Sequence, residues 1–261
     1  VALGTGIWAN GLLAGEALSA SLTIPVLLPA IGGSWEQSFV AWAIPVAITA
    51  LLLALVPAPS DARAQRGSAW LPDFRDPRVW RLGTYQSAAS LAYFGANTFL
   101  PDYLHAAGDP GRVGAALAAL NLGQLPASLA VGLIPLSILG SRRTSFVVAA
   151  AIVAALAAIL ALGGPYTIAG CALLGFAGAC VLTLSFALPA MLAARDEVAR
   201  LASGTFTLGY AISFVTTLLS GAAWDATRVA AIAFLPILAA AAIVAFLGPQ
   251  LTRGMTQSPS R

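Results

Sequence analysis

The sequence contains no lysine, one histidine and two cysteines, and only 9% of its 261 residues carry a charge. Soluble domains carry roughly 25% charged residues, so this composition excludes an ordinary soluble protein. Cys171 and Cys180 lie in one apolar run, at a spacing that matches no metal motif and disfavours a disulfide along one helix. Because so few groups can ligate a metal or transfer protons, we expect no cofactor, no metal and no enzymatic activity.

Long hydrophobic runs make up most of the chain, and 59% of its residues are hydrophobic. A helix needs about 20 apolar residues to cross a hydrocarbon core of roughly 30 Å. The runs do not alternate between apolar and polar residues, as the strands of a membrane barrel do. The sequence therefore predicts an all-α membrane protein with eight transmembrane helices and the lipid bilayer as a partner. The predicted spans are approximately Val1–Ile31, Trp35–Val56, Val79–Leu104, Arg112–Leu139, Thr144–Leu162, Pro165–Ala194, Arg200–Ala223 and Arg228–Leu247.

The positive charge is carried by 13 arginines, and the net charge is +3. The arginines fall in short connections between apolar runs, so we assign them to membrane topology and expect no nucleic-acid partner. Eleven of them lie in every second connection, and five of these are in the long polar stretch Pro57–Arg81. The alternate connections hold only Arg112 and Arg228. This pattern predicts a multi-pass protein of the inner membrane, with the Pro57–Arg81 connection and the C-terminus in the cytoplasm.

Polar side chains recur on one face of several predicted helices and are nearly absent from the second, fifth and eighth. This pattern favours units of three helices, in which two face an aqueous cavity and the third faces lipid. We therefore predict two helices of one half (residues 1–56), a central cytoplasmic connection (57–76), a six-helix half (77–249) and a cytoplasmic tail (250–261). The chain begins inside an apolar run without a methionine, and we expect further helices upstream of it.

Glu16 is the only ionisable side chain near the middle of a predicted span. A charged side chain at the bilayer centre costs about 2.5–3.5 kcal/mol on an insertion scale, so such a residue normally faces a cavity or a partner. One interpretation is a carboxylate that binds substrate or couples transport to protons. The other is a protonated side chain that hydrogen-bonds a neighbouring helix and stabilises packing. Both interpretations stay open on the sequence alone.

Neutral hydrogen-bonding residues follow helical spacing in the third, fourth and seventh predicted spans. They are Gln86, Tyr93, Asn97, Asn121, Gln124 and Tyr210. They either line a substrate pathway or form hydrogen bonds between helices. No arginine lies deeper in a predicted span than its third residue. An anionic substrate would therefore need a cation from upstream helices, whereas a neutral, aromatic or weakly cationic one would not. Arg142 and Arg143 anchor topology, and we also consider them for gating.

Six stretches carry a further resemblance. They are GTGIWANGLLAGEALSASLTIP, GGSWEQSFVAWAIPV, YFGANTFLPDYLHAAG, NLGQLPASLA, LGSRR and SGTFTLGYAISFVTTLLSGAAWDATR. The first four resemble the fifth to eighth helices of the major facilitator superfamily, the fifth its cytoplasmic loop motif, and the last its eleventh helix. Within that superfamily the chain is most similar to the cyanate permease and 2-nitroimidazole transporter family. The loop motif lacks its usual acidic residue.

The resemblance implies a truncated twelve-helix fold, of which this chain covers the fifth to twelfth helices. It implies a secondary active transporter that moves a small-molecule substrate, either a cyanate-like anion or a small heterocycle, by alternating access, with protons as the candidate coupling ion. The missing N-terminal helices of the same chain would complete the pathway. Two other classes stay open on the residues: a non-transporting membrane receptor, and a membrane-embedded lipid-modifying enzyme, which would need catalytic residues clustered at one interface.

Overall fold

The computed structural model describes residues 10–12, 14–19, 22–56 and 71–252. These residues are helical along most of their length, and none of them forms a strand. Six helices in this part of the chain are long and apolar enough to cross a membrane. The prediction of an all-α protein with membrane-spanning helices is therefore confirmed at this coarse level, whereas the count of eight spans is not.

We number the helices in chain order. We give the label α1 to the described helical residues 10–12, 14–19 and 22–30, which include a π-helical turn at Thr23–Leu27. Helix α2 is Trp35–Leu55. Helix α3 consists of Pro77–Ser90, a π-helical turn at Leu91–Gly95, and Ala96–Ala106. The remaining long helices are α4 (Pro110–Leu133), α5 (Arg142–Leu162), α6 (Pro165–Leu192), α7 (Val198–Thr227) and α8 (Ala230–Thr252). A single helical turn, Leu136–Leu139, lies between α4 and α5.

Two of the eight predicted spans account for the difference in number. The third predicted span is helical throughout, as α3, but polar residues such as Gln86 and Asn97 leave it less apolar than the six candidate spans. The first lies partly outside the described residues, which omit residues 1–9. Most of the central connection (residues 57–70) and the tail from residue 253 also lie outside them.

Helix ends follow local chemistry that the sequence supplies. Asp76 caps α3 by accepting a hydrogen bond from a backbone N–H, and Pro77 follows it at the first helical position. Ser141 caps α5 in the same way. Gly163 and Gly164, with φ of 62° and 55°, turn the chain between α5 and α6. Glycine adopts this left-handed conformation without a Cβ clash, so the two helices can follow each other closely.

Helices α3 and α6 have the most packing partners among the six helices from α3 to α8. Helix α3 packs against α4, α6, α7 and α8, while α6 packs against α3, α4, α5 and α7. Two thirds of the most apolar window of α6 is buried (67%), compared with 6% of that of α2. A Cβ on Gly175 of α6 would collide with the Leu120 carbonyl oxygen of α4. Small residues thus let the helix backbones approach closely, as is common in membrane bundles.

Several arginine-containing connections meet at one end of the helices. Arg200, at the start of α7, donates a hydrogen bond to Asp73, just ahead of α3, at 2.7 Å. Arg81, in the second turn of α3, donates to Gln250, near the end of α8, at 3.3 Å. The starts of α3 and α7 and the end of α8 therefore lie together, as the predicted alternation of arginines requires. That this end is cytoplasmic stays a prediction.

Candidate functional site

Three of the predicted residues form one hydrogen-bond network between α3 and α4. The Tyr93 hydroxyl donates to the Asn121 side-chain oxygen at 3.1 Å. The Asn121 amide donates to the Asn97 side-chain oxygen at 3.3 Å and to the Leu117 carbonyl at 2.8 Å. Asn121 is only 1% exposed. Each polar atom of its side chain thus has a protein partner, as buried amides require.

The π-helical turn at Leu91–Gly95 carries Tyr93 at its centre. Such turns widen an α-helix locally and occur frequently at functional sites. Asn97 lies one turn further along α3, and its amide donates to the Tyr93 carbonyl at 2.9 Å. The turn and this side-chain hydrogen bond together present Tyr93 and Asn97 to the same residue of α4, Asn121.

Glu16 extends the network to α1. Its carboxyl faces the Tyr93 hydroxyl. The side chain is partly buried, and the neighbouring Ala17 is buried. Among the described residues, no arginine or histidine forms an ion pair with Glu16. Helix α1 therefore meets the six-helix body at an acid that faces neutral polar groups.

The two predicted glutamines are buried with unused hydrogen-bonding atoms. Gln124 of α4 is 2% exposed and faces Tyr93, and its amide nitrogen has no hydrogen-bond partner. Gln86 is fully buried against Gly209 of α7, and both of its amide atoms lack a partner. Buried amides are normally satisfied, so each glutamine marks a place where a solute, a water or a rearranged side chain would gain a hydrogen bond.

We call Glu16, Tyr93, Asn97, Asn121 and Gln124 the polar cluster. The structure brings these five predicted residues together from α1, α3 and α4. Gln86 does not join them, because it lies two turns away along α3 and packs against α7.

A row of aromatic rings leads from the polar cluster across α3, α7 and α6. Ring centroids are 5.1 Å apart between Tyr93 and Phe94, and 6.1 Å apart between Phe94 and Tyr210. The row continues to Phe206 at 6.5 Å and from there to Phe186 at 5.2 Å. The sequence predicted the two tyrosines but not the three phenylalanines, because an apolar ring in an apolar run gives little signal. The spacing of Phe206, four residues ahead of Tyr210, was the available hint.

A cavity of about 420 Å³ opens beside this row, between α3 and α7. Its polar lining is limited to hydroxyl groups, and the buried Thr217 hydroxyl has no partner. The cavity is lined by Phe94, Thr98, Tyr210, Ser213, Phe214, Thr217 and Leu218. No charged side chain is among these residues. The cavity thus offers ring surfaces and a few hydroxyls to a small molecule.

The remaining predicted residues lie away from the polar cluster. Arg142 and Arg143 are exposed at the start of α5, and the Arg142 guanidinium lies over the Phe146 ring at 5.3 Å. Their gating role stays a prediction. Cys171 and Cys180 are free. Within the described ranges, no group of three or more His, Cys, Asp or Glu side chains could hold a metal ion.

Comparisons of the chain with protein-family models, with curated proteins and with solved structures found no match. The polar cluster, the aromatic row and the resemblance of the sequence motifs are therefore the features that bear on function.

Proposed function

We propose that the chain is part of an alternating-access secondary transporter of the major facilitator type, which moves a small solute across the inner membrane. The observation that carries this proposal is the polar cluster, in which an acid and four neutral hydrogen-bonding side chains converge from three helices. Polar and ionisable groups at membrane depth are costly and commonly mark substrate or proton pathways. The cluster lies where α1 meets the six-helix body, the kind of interface at which rocking units expose a central site alternately.

A small planar heterocycle, neutral or weakly basic, is the substrate class that this site favours. The polar cluster contributes a carboxyl group, Glu16, and no cation to balance an anion such as cyanate. The aromatic row offers faces on which a flat ring can stack, an arrangement worth about 0.5–1.5 kcal/mol per aromatic pair beyond the buried area. The unpaired amide nitrogen of Gln124 supplies a donor for a nitro group or a ring nitrogen.

Glu16 is the group that would couple substrate movement to protons. A bare carboxylate is expensive to enclose in an apolar site, whereas the protonated acid can be enclosed and can donate a hydrogen bond to its neighbours. Protonation from one side would thus permit the site to close and reopen on the other side, where the proton leaves. The carboxyl faces Tyr93, which hydrogen-bonds Asn121, so protonation of Glu16 would act directly on the α3–α4 network.

The test is uptake of labelled 2-nitroimidazole by proteoliposomes that contain the full-length protein, driven by an imposed proton gradient. The measurement is repeated at pH values from mildly acidic to mildly alkaline. Glu16→Gln keeps the shape of the side chain and removes its ionisable group. We expect gradient-driven uptake to fall by about tenfold or more and its pH dependence to flatten.

Glu36→Gln is the matched control, because Glu36 is an exposed acid in the first turn of α2 whose carboxylate accepts a hydrogen bond from Ser34. We expect this variant to transport at a rate within about twofold of the wild-type rate, as for most surface substitutions. Wild-type rates and wild-type pH dependence in Glu16→Gln would contradict the coupling role.

A further inference from the structure

A second cavity, of about 330 Å³, lies at the arginine-rich end of the helices and away from the polar cluster. It is formed by the start of α3, the start of α5 and the end of α8. The residues that line it are Arg81, Arg142, Phe146, Ala245, Phe246, Pro249 and Gln250. Two cations from separate helices thus share one open cavity.

Neither cation is neutralised by a carboxylate in the described part of the chain. The ion pairs found there involve Arg78, Arg112 and Arg200 instead. Arg81 donates to the neutral side-chain oxygen of Gln250 at 3.3 Å. Arg142 lies over the Phe146 ring, which attracts the guanidinium but carries no net charge. The cavity therefore has a positive charge of two units and retains donors for an anion.

The apolar walls of the same cavity face outward. Phe246 is 68% exposed and Phe146 is 42% exposed, and both belong to helices that are apolar enough to cross a membrane. Phe146 lies in the second turn of α5, and Phe246 lies within two turns of the end of α8. In a bilayer, the ends of membrane-spanning helices lie among the lipid headgroups. Arg81 and Arg142 would therefore lie at the headgroups, and the exposed rings of Phe146 and Phe246 would lie deeper, against the acyl chains.

We propose that this cavity binds the phosphate group of an anionic phospholipid, held between Arg81 and Arg142, with the acyl chains along Phe146 and Phe246. Guanidinium groups bind phosphate through charge-assisted hydrogen bonds, and basic pockets between membrane helices take anionic headgroups. The exposed rings favour a lipid over free phosphate, because free phosphate has no apolar part to cover them.

The test uses the full-length protein, stripped of lipid in a neutral maltoside detergent and titrated with phosphatidylglycerol or with phosphatidylcholine of the same acyl chains. Bound lipid is counted by native mass spectrometry. We expect phosphatidylglycerol to bind more tightly than phosphatidylcholine. Since each arginine near an anionic headgroup is worth about 1 kcal/mol, Arg142→Gln should weaken phosphatidylglycerol about fivefold, and the Arg81→Gln/Arg142→Gln double variant about 25-fold.

Arg195→Gln is the matched control, because Arg195 is exposed in the connection between α6 and α7, belongs to the same set of arginines and does not line the cavity. It removes the same charge and should leave binding unchanged. Equal weakening by Arg195→Gln would show a diffuse charge effect and would overturn the site. So would equal affinity for the two lipids.

Two further arms complete the test. Inorganic phosphate at millimolar concentration should not displace phosphatidylglycerol; if it competes and binds by itself, free phosphate is the ligand and the lipid proposal is wrong.

A phosphatidylglycerol with a photoreactive acyl chain requires no variant, so its result stands even if the double variant fails to fold. It should label the α5 or α8 peptide that contains Phe146 or Phe246, and labelling confined to other helices would overturn the proposal.

Discussion

Asn121 connects α3 to α4 at the candidate site through a single side chain. It accepts from Tyr93 and donates to Asn97 and to the Leu117 carbonyl. Hydrogen bonds between membrane helices contribute only about 0.6 kcal/mol on average, with a maximum near 1.7, because unfolded helices also find partners. The network therefore fixes the position of Tyr93 more than it stabilises the fold.

A double-mutant cycle of Tyr93→Phe and Asn121→Ala measures this contact. We expect a coupling energy of about 0.6 kcal/mol, since the two single variants remove the same hydrogen bond. The measurement is the free energy of unfolding, in mixed micelles, of the wild type, the two single variants and the double variant. Tyr166→Phe is the control, because Tyr166 is an exposed tyrosine at the start of α6. Strictly additive effects of Tyr93→Phe and Asn121→Ala would contradict the contact.

Helical spacing predicted which polar residues share a face, but it could not predict their partners. Tyr93 and Asn97 lie on one face of α3 and both reach Asn121, as a shared face allows. Gln86 has the same spacing and yet packs against Gly209 of α7. The rotation of each neighbouring helix decides such pairings, and the sequence of one helix does not contain that information. The structure places Glu16 against Tyr93, and its role in coupling stays a prediction.

Helix α3 packs against α4, α6, α7 and α8, and it carries more polar residues than they do. Residues buried among protein neighbours need not be as apolar as residues that face lipid. The sequence predicted this helix as a span, but it is less apolar than the six candidate spans, so its crossing of the membrane stays a prediction. The abundance of alanine and glycine predicted that helices would pack closely, as α6 does with α4 and α5. It could not predict which glycine lies at a contact, because the register between two helices decides that.

Gly175→Ala tests the close contact between α6 and α4. The added Cβ would meet the Leu120 carbonyl oxygen, and a backbone atom cannot move aside as a flexible side chain can. We expect the free energy of unfolding to fall by about 1–3 kcal/mol, the usual range for overpacking. Thermal unfolding in detergent measures the change.

Gly114→Ala serves as the matched substitution, since a Cβ at Gly114 of α4 meets nothing within 4 Å. There the free energy of unfolding should stay the same or rise by up to about 1 kcal/mol through helix propensity. If the two variants unfold alike, the contact between α6 and α4 is not as close as described.

At the scale of the whole molecule, the arginines predicted which helix ends lie together. Contacts such as Arg200 with Asp73 and Arg81 with Gln250 place those ends side by side. These contacts do not assign either end to a compartment, so the cytoplasmic orientation rests on the bias of arginine towards cytoplasmic connections. The connection that gave the strongest charge signal, residues 57–70, lies outside the described residues.

Cysteine labelling tests the orientation directly. In a background that carries Cys171→Ala and Cys180→Ala, single cysteines are introduced as Arg195→Cys, between α6 and α7, and as Gly111→Cys, at the start of α4. Both positions are exposed. An impermeant maleimide should label Gly111→Cys in intact spheroplasts and Arg195→Cys only in inverted vesicles. Labelling of both from the same side would refute the predicted topology.

Counterflow tests the central claim, that the protein is a carrier, most directly. Proteoliposomes that contain the full-length protein are loaded with unlabelled 2-nitroimidazole and diluted into a trace of labelled compound, without any ion gradient. A carrier exchanges solute through a site that opens alternately to each side, so we predict that internal label rises above its equilibrium level and then decays. Retained binding of 2-nitroimidazole without this transient accumulation would contradict transport and would indicate a receptor instead.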